Sequence, residues 1–183
     1  VSLVLVAAWL LIGLIAGFSD RWQLLADSGI AWTSLRNGFY AHSLGWLLGP
    51  WRETGVITAP ADGPVSWTDR ADAAEAAAVI FVGDRAFDGP ATLTARQAVT
   101  FDDVAAMASQ ISGREVTRIV VDDEQWIADK VAAGSPEAMA RMTLTMFQAA
   151  REGRFAGVGP LLAELVGREP RSVVDQLGDS IAA

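Results

Sequence analysis

Ser28-Gly29-Ile30-Ala31-Trp32-Thr33-Ser34-Leu35-Arg36-Asn37-Gly38-Phe39-Tyr40 decides the fold. The apolar, β-branched and aromatic run Ile30 to Leu35 predicts a buried strand. Arg36-Asn37-Gly38 then turns the chain, and two aromatics follow. Buried parallel strands of an α/β sheet end this way at their carboxyl edge, where ligands bind. The run comes early, with only 34 residues before Leu35. The chain reads as the back half of a binding site without the front half.

Outward from this run, the rest of the chain supplies the partners of such a sheet. Ser19 is placed to cap a helix over Asp20–Asp27, and Ala41 to Leu48 reads as helical up to Gly49-Pro50. Gly55 to Thr58 is a second short strand. Val65-Ser66-Trp67-Thr68 leads into a helix over Asp69–Val82, capped by Thr68 or Asp69, with Ala73, Ala76, Ala77 and Ile80 on one face. Ala91 to Thr94 and Val116 to Val121 are strands. Thr100-Phe101-Asp102-Asp103 opens a helix with a capping box, and Gly113 closes it. Helices dominate the remainder: Asp122–Ala133, a longer one opened by Ser135-Pro136-Glu137, then Pro160–Val166 and Ser172–Ile181. Met139, Met142, Met146 and Phe147 form an apolar stripe that reads as core. Strands alternating with helices, followed by a helical end, give α/β with a helix-rich C-terminal subdomain.

Composition bounds the function. At 183 residues, 51% hydrophobic and 20% charged, the chain can build a core and is no disordered tail. A net charge of −8 argues against nucleic acid, which needs a basic face. With no Cys and one His, thiol chemistry and His or Cys metal clusters are excluded, and missing Cys fits a reducing, cytoplasmic compartment. Residues 1–17 carry no charge. They read as a membrane anchor at the short limit of length, as a buried core element (strand then helix), or as a non-native N-terminus.

No Gly-rich dinucleotide fingerprint occurs, because Gly13-Leu14-Ile15-Ala16-Gly17 has the wrong spacing, and there is no P-loop. Tyr40 has no Lys four residues later, and Lys130 is the only Lys. His42 reads as a polar residue at a helix start before it reads as a general base. A triad of Ser43, His42 and Asp69 lacks a nucleophile elbow. Asn37 offers a donor and an acceptor at a strand end, and Gly38 would let backbone approach a ligand. An ordinary Asn-Gly turn explains the same residues equally well. Trp67-Thr68-Asp69-Arg70 is a second strand end, or simply a capped helix start. Asp102-Asp103 and Asp122-Asp123-Glu124 read as helix-dipole features, not metal ligands.

Several ordered segments resemble the NmrA-like, atypical short-chain dehydrogenase family, in particular its NAD(P)H:quinone oxidoreductase-like members. They are SGIAWTSLRNGFY (28–40), VSWTDRADAAEAAAVI (65–80), FDGPATLTA (87–95), TFDDVAAMASQISGREV (100–116), VDDEQW (121–126) and VGPLLAELVGREPRSVVDQL (158–177). The resemblance implies a partial Rossmann-like parallel sheet, with residues 19–183 as the C-terminal portion of an NAD(P)-binding domain and 1–18 as an apolar leader. It implies NAD(P)H as cofactor, with Arg36, Asn37 and Gly38 at the cofactor. Phe39, Tyr40, Trp67 and Thr68 would line the pocket of a quinone or similar acceptor. Family members open with a Gly-rich phosphate loop that this sequence does not contain, so a truncated protein, weak or inactive alone, is expected. A noncatalytic NAD(P)-sensing module is the alternative. Missing leading strands would expose a sheet edge, predicting self-association or a leader helix folded over that edge. Residues 1–17 are also a possible membrane contact.

Overall fold

The computed structural model describes residues 3–7, 18–83, 87 and 89–182. Its central strand is β2 (Trp32–Asn37), flanked in parallel by β1 (Leu3–Ala7) and β6 (Gly89–Leu93). Leu5 lies opposite Ser34, and Leu35 opposite Ala91. Thr33, Ser34 and Leu35 are all buried, the mark of a strand covered on both faces.

The strand lies two residues later than the sequence predicts. Ser28 Oγ donates to Leu25 O and accepts from the Ile30 amide, so the chain is still turning there and Ile30 stays exposed. Asn37 is therefore the last strand residue, not the start of a turn. The Gly38 amide donates to Leu93 O (2.8 Å), and the chain runs straight on into β3 (Phe39–Tyr40). There it leaves one sheet for another, because β3 pairs in parallel with β5 (Trp67–Thr68). A third parallel pair joins β4 (Val56–Pro60) to β7 (Thr117–Val121).

Gly38 sits at this fork. A Cβ there would lie 2.3 Å from Thr68 Oγ1 and 2.9 Å from Ser66 O. The space that glycine leaves open on this side is taken by β5.

Nine helices occur among the described residues: α1 (Phe18–Asp27), α2 (Leu44–Leu47), α3 (Trp51–Thr54), α4 (Arg70–Val82), α5 (Phe101–Ser112), α6 (Asp123–Ala132), α7 (Glu137–Arg151), α8 (Leu161–Val166) and α9 (Val173–Ala182). The caps read from sequence are present where they carry side-chain bonds. Asp69 accepts from the Ala71 and Asp72 amides, and Asp122, read from sequence only as a helix-dipole residue, also proves to be a cap and accepts from those of Glu124 and Gln125. Thr100 and Asp103 form the capping box of α5. Three expectations shift. Helix α1 begins at Phe18, which puts Ser19 inside it. The stretch 41–48 breaks into a 3-10 turn over Ala41–Ser43 and the single turn of α2. Pro136 is itself the N-cap of α7 and makes no side-chain bond.

One core packs α2, α3, α5, α6, α7 and α9 around the β4 strand, with Ile57, Ala59, Val104, Phe101, Trp126 and Phe147 inside. A second joins Leu35, Ala91 and Leu93 of the main sheet to Ala76 and Ile80 of α4 and Leu162 of α8. Burying each leucine there contributes roughly 1.5–3 kcal/mol. Asp72, fully buried in α4, accepts from Arg168 Nη2 (2.7 Å) and the Arg171 amide (2.6 Å), which fastens the C-terminal segment to α4. The stripe holds only in part as core: Phe147 is buried and Met142 and Met146 are half-buried, but Met139 is 52% exposed, and Ala140, Thr143, Leu144 and Phe147 form the buried face of α7.

At the other end of the chain, the edge of β2 is covered by a strand, β1, and not by a helix folded over it. Residues 1, 2 and 8–17 of the apolar leader lie outside the described residues. Among the described residues, no helix is long and apolar enough to cross a membrane.

Candidate functional site

Strand alternation at the fork sends neighbouring side chains in opposite directions. Phe39 turns toward the large core. It meets Trp67 edge-on (5.2 Å between ring centres) and Phe155 (5.3 Å). With Leu47, Asp62, Val65, Phe101, Met146, Phe147 and Ala150 these rings surround a space of about 20 Å³, room for about one water. Tyr40 turns the other way. With Leu35, Asn37, Arg70, Ala73, Ala74 and Ala77 it lines a cleft of about 310 Å³, within the range of small-ligand sites. The residues expected to share one pocket are thus divided between two spaces. Thr68 lines neither: its hydroxyl donates to Ser66 O (3.3 Å) and accepts from the Ala95 amide (3.2 Å).

The open cleft holds the polar groups. Asn37 Nδ2 donates to Tyr40 Oη (3.0 Å), while Asn37 Oδ1 is buried and accepts no hydrogen bond. A buried carbonyl oxygen without a donor costs about 1–3 kcal/mol, so such an atom points to a ligand that supplies one. Arg36 is half-buried in β2 opposite Thr92. At the cleft mouth Arg70 Nη1 lies 3.3 Å from His42 Nε2. Burial of its inner edge lowers the pKa of the otherwise exposed His42, the Arg70 charge lowers it further, and Asp69 opposes both. At neutral pH the imidazole is uncharged and Nε2 accepts from Arg70. Asp69 caps α4, Ser43 is buried and His42 turns to Arg70, so no triad forms.

The smaller space has a charged wall that the sequence reading missed. Asp62 and Arg118 pair at 2.6 Å with their side chains only 3% and 5% exposed. Asp62 also accepts from the Phe101 amide (2.8 Å), and Arg118 donates to Pro60 O (2.9 Å) and reaches Asp102 (3.0 Å). The two residues are far apart in sequence, and no local spacing signals their pairing. Arg70 and the small residues Ala73, Ala74 and Ala77 did carry a signal. They occupy the first turns of a helix that starts at a strand end, and Ala74 and Ala77 have too little side chain to fill the space beside β2. Among the described residues, no cluster of three His, Cys, Asp or Glu side chains is placed to hold a metal.

No protein-family model matches the chain. It is 29% identical over 157 residues to quinone oxidoreductase 2 of Escherichia coli, covering 85% of this chain and 54% of that protein. It is 25% identical over 161 residues to the NmrA-like family domain-containing oxidoreductase flvB of Aspergillus flavus, covering 85% of this chain and 52% of that one. The crystal structure of the E. coli NADPH-dependent quinone oxidoreductase with NADPH superposes with a TM-score of 0.80 at 26% identity, over 89% of this chain and 58% of that one. The chain is thus similar in sequence to an NmrA-like oxidoreductase and to a quinone oxidoreductase, and it shares the fold of the latter. Its parallel α/β sheet is the Rossmann-like sheet that the resemblance implied. The chain spans about half the length of the curated relatives it matches.

Proposed function

We propose that this NmrA-like chain carries the nicotinamide end and the acceptor wall of an NAD(P)H-dependent oxidoreductase that reduces a quinone or a similar small acceptor. Residues 19–183 are read as the C-terminal portion of the NAD(P)-binding domain, with Leu3–Ala7 added beside β2. The observation that carries the reading is Asn37: a buried, unpartnered Oδ1 on the wall of the cleft, at the carboxyl end of a parallel strand. The nicotinamide carboxamide has the N–H donors that this oxygen lacks.

When bound, the reduced nicotinamide supplies the hydride. The chain's own residues do the positioning. Arg36-Asn37-Gly38 holds the ring, Asn37 through its side chain, on a backbone fixed by Leu93 and Thr68. Leu35, Ala73, Ala74 and Ala77 give the cleft an apolar floor that excludes water. Tyr40 Oη already accepts from Asn37, which leaves its own O–H to donate to an acceptor oxygen. Phe39, Trp67 and Thr68 support this wall from behind. The cofactor's pyrophosphate is not matched in the same way, because this sequence contains no Gly-rich phosphate loop.

NADPH therefore binds the 183-residue chain weakly and by its nicotinamide end. Saturation-transfer NMR on NADPH tests this. The nicotinamide protons should saturate more strongly than the adenine protons, and Asn37→Leu should remove the difference. Stronger adenine saturation, or none at all, overturns the reading. A low-micromolar Kd by calorimetry overturns the weak-binding part. The second reading, a nucleotide sensor without turnover, has one observation in its favour: Lys130, the only lysine, lies over the Trp126 ring (5.3 Å) on α6 and forms no Tyr-Lys pair with Tyr40. NADPH consumption with menadione separates the two.

A further inference from the structure

We propose that Arg70 makes the cleft select acceptors bearing an anionic substituent, a sulfonate, carboxylate or phosphate on a planar ring. The inference rests on the function proposed above and names its substrate class. Arg70 lines the cleft beside Leu35, Asn37 and Tyr40, on the first turn of α4. Among the described residues it makes no ion pair, although the chain is acidic overall and Arg118, Arg141, Arg151 and Arg168 are all paired with carboxylates.

The carboxylate next to it in the chain, Asp69, is engaged at the helix end by the Ala71 and Asp72 amides. What Arg70 does touch is the neutral His42 ring, which accepts one N–H and fixes the guanidinium without cancelling its charge. The remaining donors are left for an anion. The rest of the lining contributes no carboxylate that would repel one: Leu35, Asn37, Tyr40 and three alanines. The cleft is thus apolar along its floor, hydrogen-bonding at Asn37 and Tyr40, and cationic at its mouth. A neutral quinone uses the first two features only.

The test is calorimetric titration of the full chain at low ionic strength with two probes, the neutral quinone menadione and a naphthoquinone sulfonate. The sulfonate should bind about tenfold more tightly, the worth of one charge-assisted contact. Arg70→Gln should abolish that preference, Arg70→Lys should restore part of it, and added salt should erode it. Equal binding of the two probes, no binding of either, or a preference that survives Arg70→Gln overturns the proposal.

NADPH forms the control arm. If Arg70→Gln weakens NADPH but not the sulfonate, the anion at Arg70 is the cofactor's phosphate and the proposal falls while the oxidoreductase reading stands. If NADPH shows no nicotinamide contact in the wild-type chain, the oxidoreductase reading fails, whatever the quinone sulfonate does.

Discussion

Phe39 and Tyr40 are consecutive residues on one short strand, yet the spaces they face are opposites. Behind Phe39 lies only about 20 Å³ of apolar space, bounded by aromatic rings and a buried ion pair. In front of Tyr40 lies about 310 Å³ with an unpartnered carbonyl oxygen and an arginine at the mouth. The first is packed to hold the fold together, and the second is left unfilled at some cost to stability. One strand therefore separates the aromatic core from the cleft proposed for recognition. Substitutions on the two sides should divide the same way.

The largest effect should come from the core side. Arg118→Leu strands Asp62 among apolar rings, and breaking such a pair typically costs about 3–5 kcal/mol. Urea unfolding should show that loss, and the double variant Asp62→Leu with Arg118→Leu should recover much of it. A single-variant cost near zero would mean that Asp62 is less dry than its 3% exposure implies.

At the fork itself, Gly38→Ala should cost about 1–3 kcal/mol, because the new methyl group meets Thr68 Oγ1 and the Ser66 carbonyl. Thr68→Ala should relieve part of the clash in Gly38→Ala, which a double-mutant cycle would read as coupling.

On the open side, Tyr40→Phe removes one hydrogen bond from Asn37 and should change stability by no more than about 1 kcal/mol. Its effect should appear instead in the saturation-transfer signal of the nicotinamide protons. A stability loss as large as that of Arg118→Leu would dissolve the distinction between the two sides.

A stability effect of similar size, with no consequence for the cleft, belongs to the surface caps. The Thr100 amide, then the Thr100 hydroxyl, holds the Asp103 carboxyl below the usual range. A depressed carboxylate contributes stability that is full above its unfolded value of about 3.9 and is lost as pH falls through the folded value. Thr100→Ala should cost about 1 kcal/mol at neutral pH. It should also flatten the melting temperature's dependence on pH below about 4.

The sequence disclosed what short range determines. The Asp69 and Thr100 caps, the helix ends at Gly113 and Gly167, and the order of strands and helices all follow from neighbours within a few residues. The β2 strand was legible in kind but two residues out of place, because the Ser28 side chain prolongs the preceding turn. The division between Phe39 and Tyr40 was not legible, since it depends on β3 pairing with β5 across the intervening α2, α3 and β4. Nor was the exposure of Met139, because the apolar spacing of α7 fits two stripes, and packing against α6 selects the one through Leu144 and Phe147. Asp62 and Arg118 carried no sign of each other.

Gly38, the residue type with the greatest backbone freedom in an unfolded chain, is among the most confined in the folded one. Its amide is held by Leu93 and its Cα is walled in by Thr68 and Ser66. The entropy of ordering that backbone is spent during folding, before any ligand arrives. A ligand meeting Asn37 and Tyr40 thus finds two side chains mounted on a rigid rail, and it loses little affinity to ordering them.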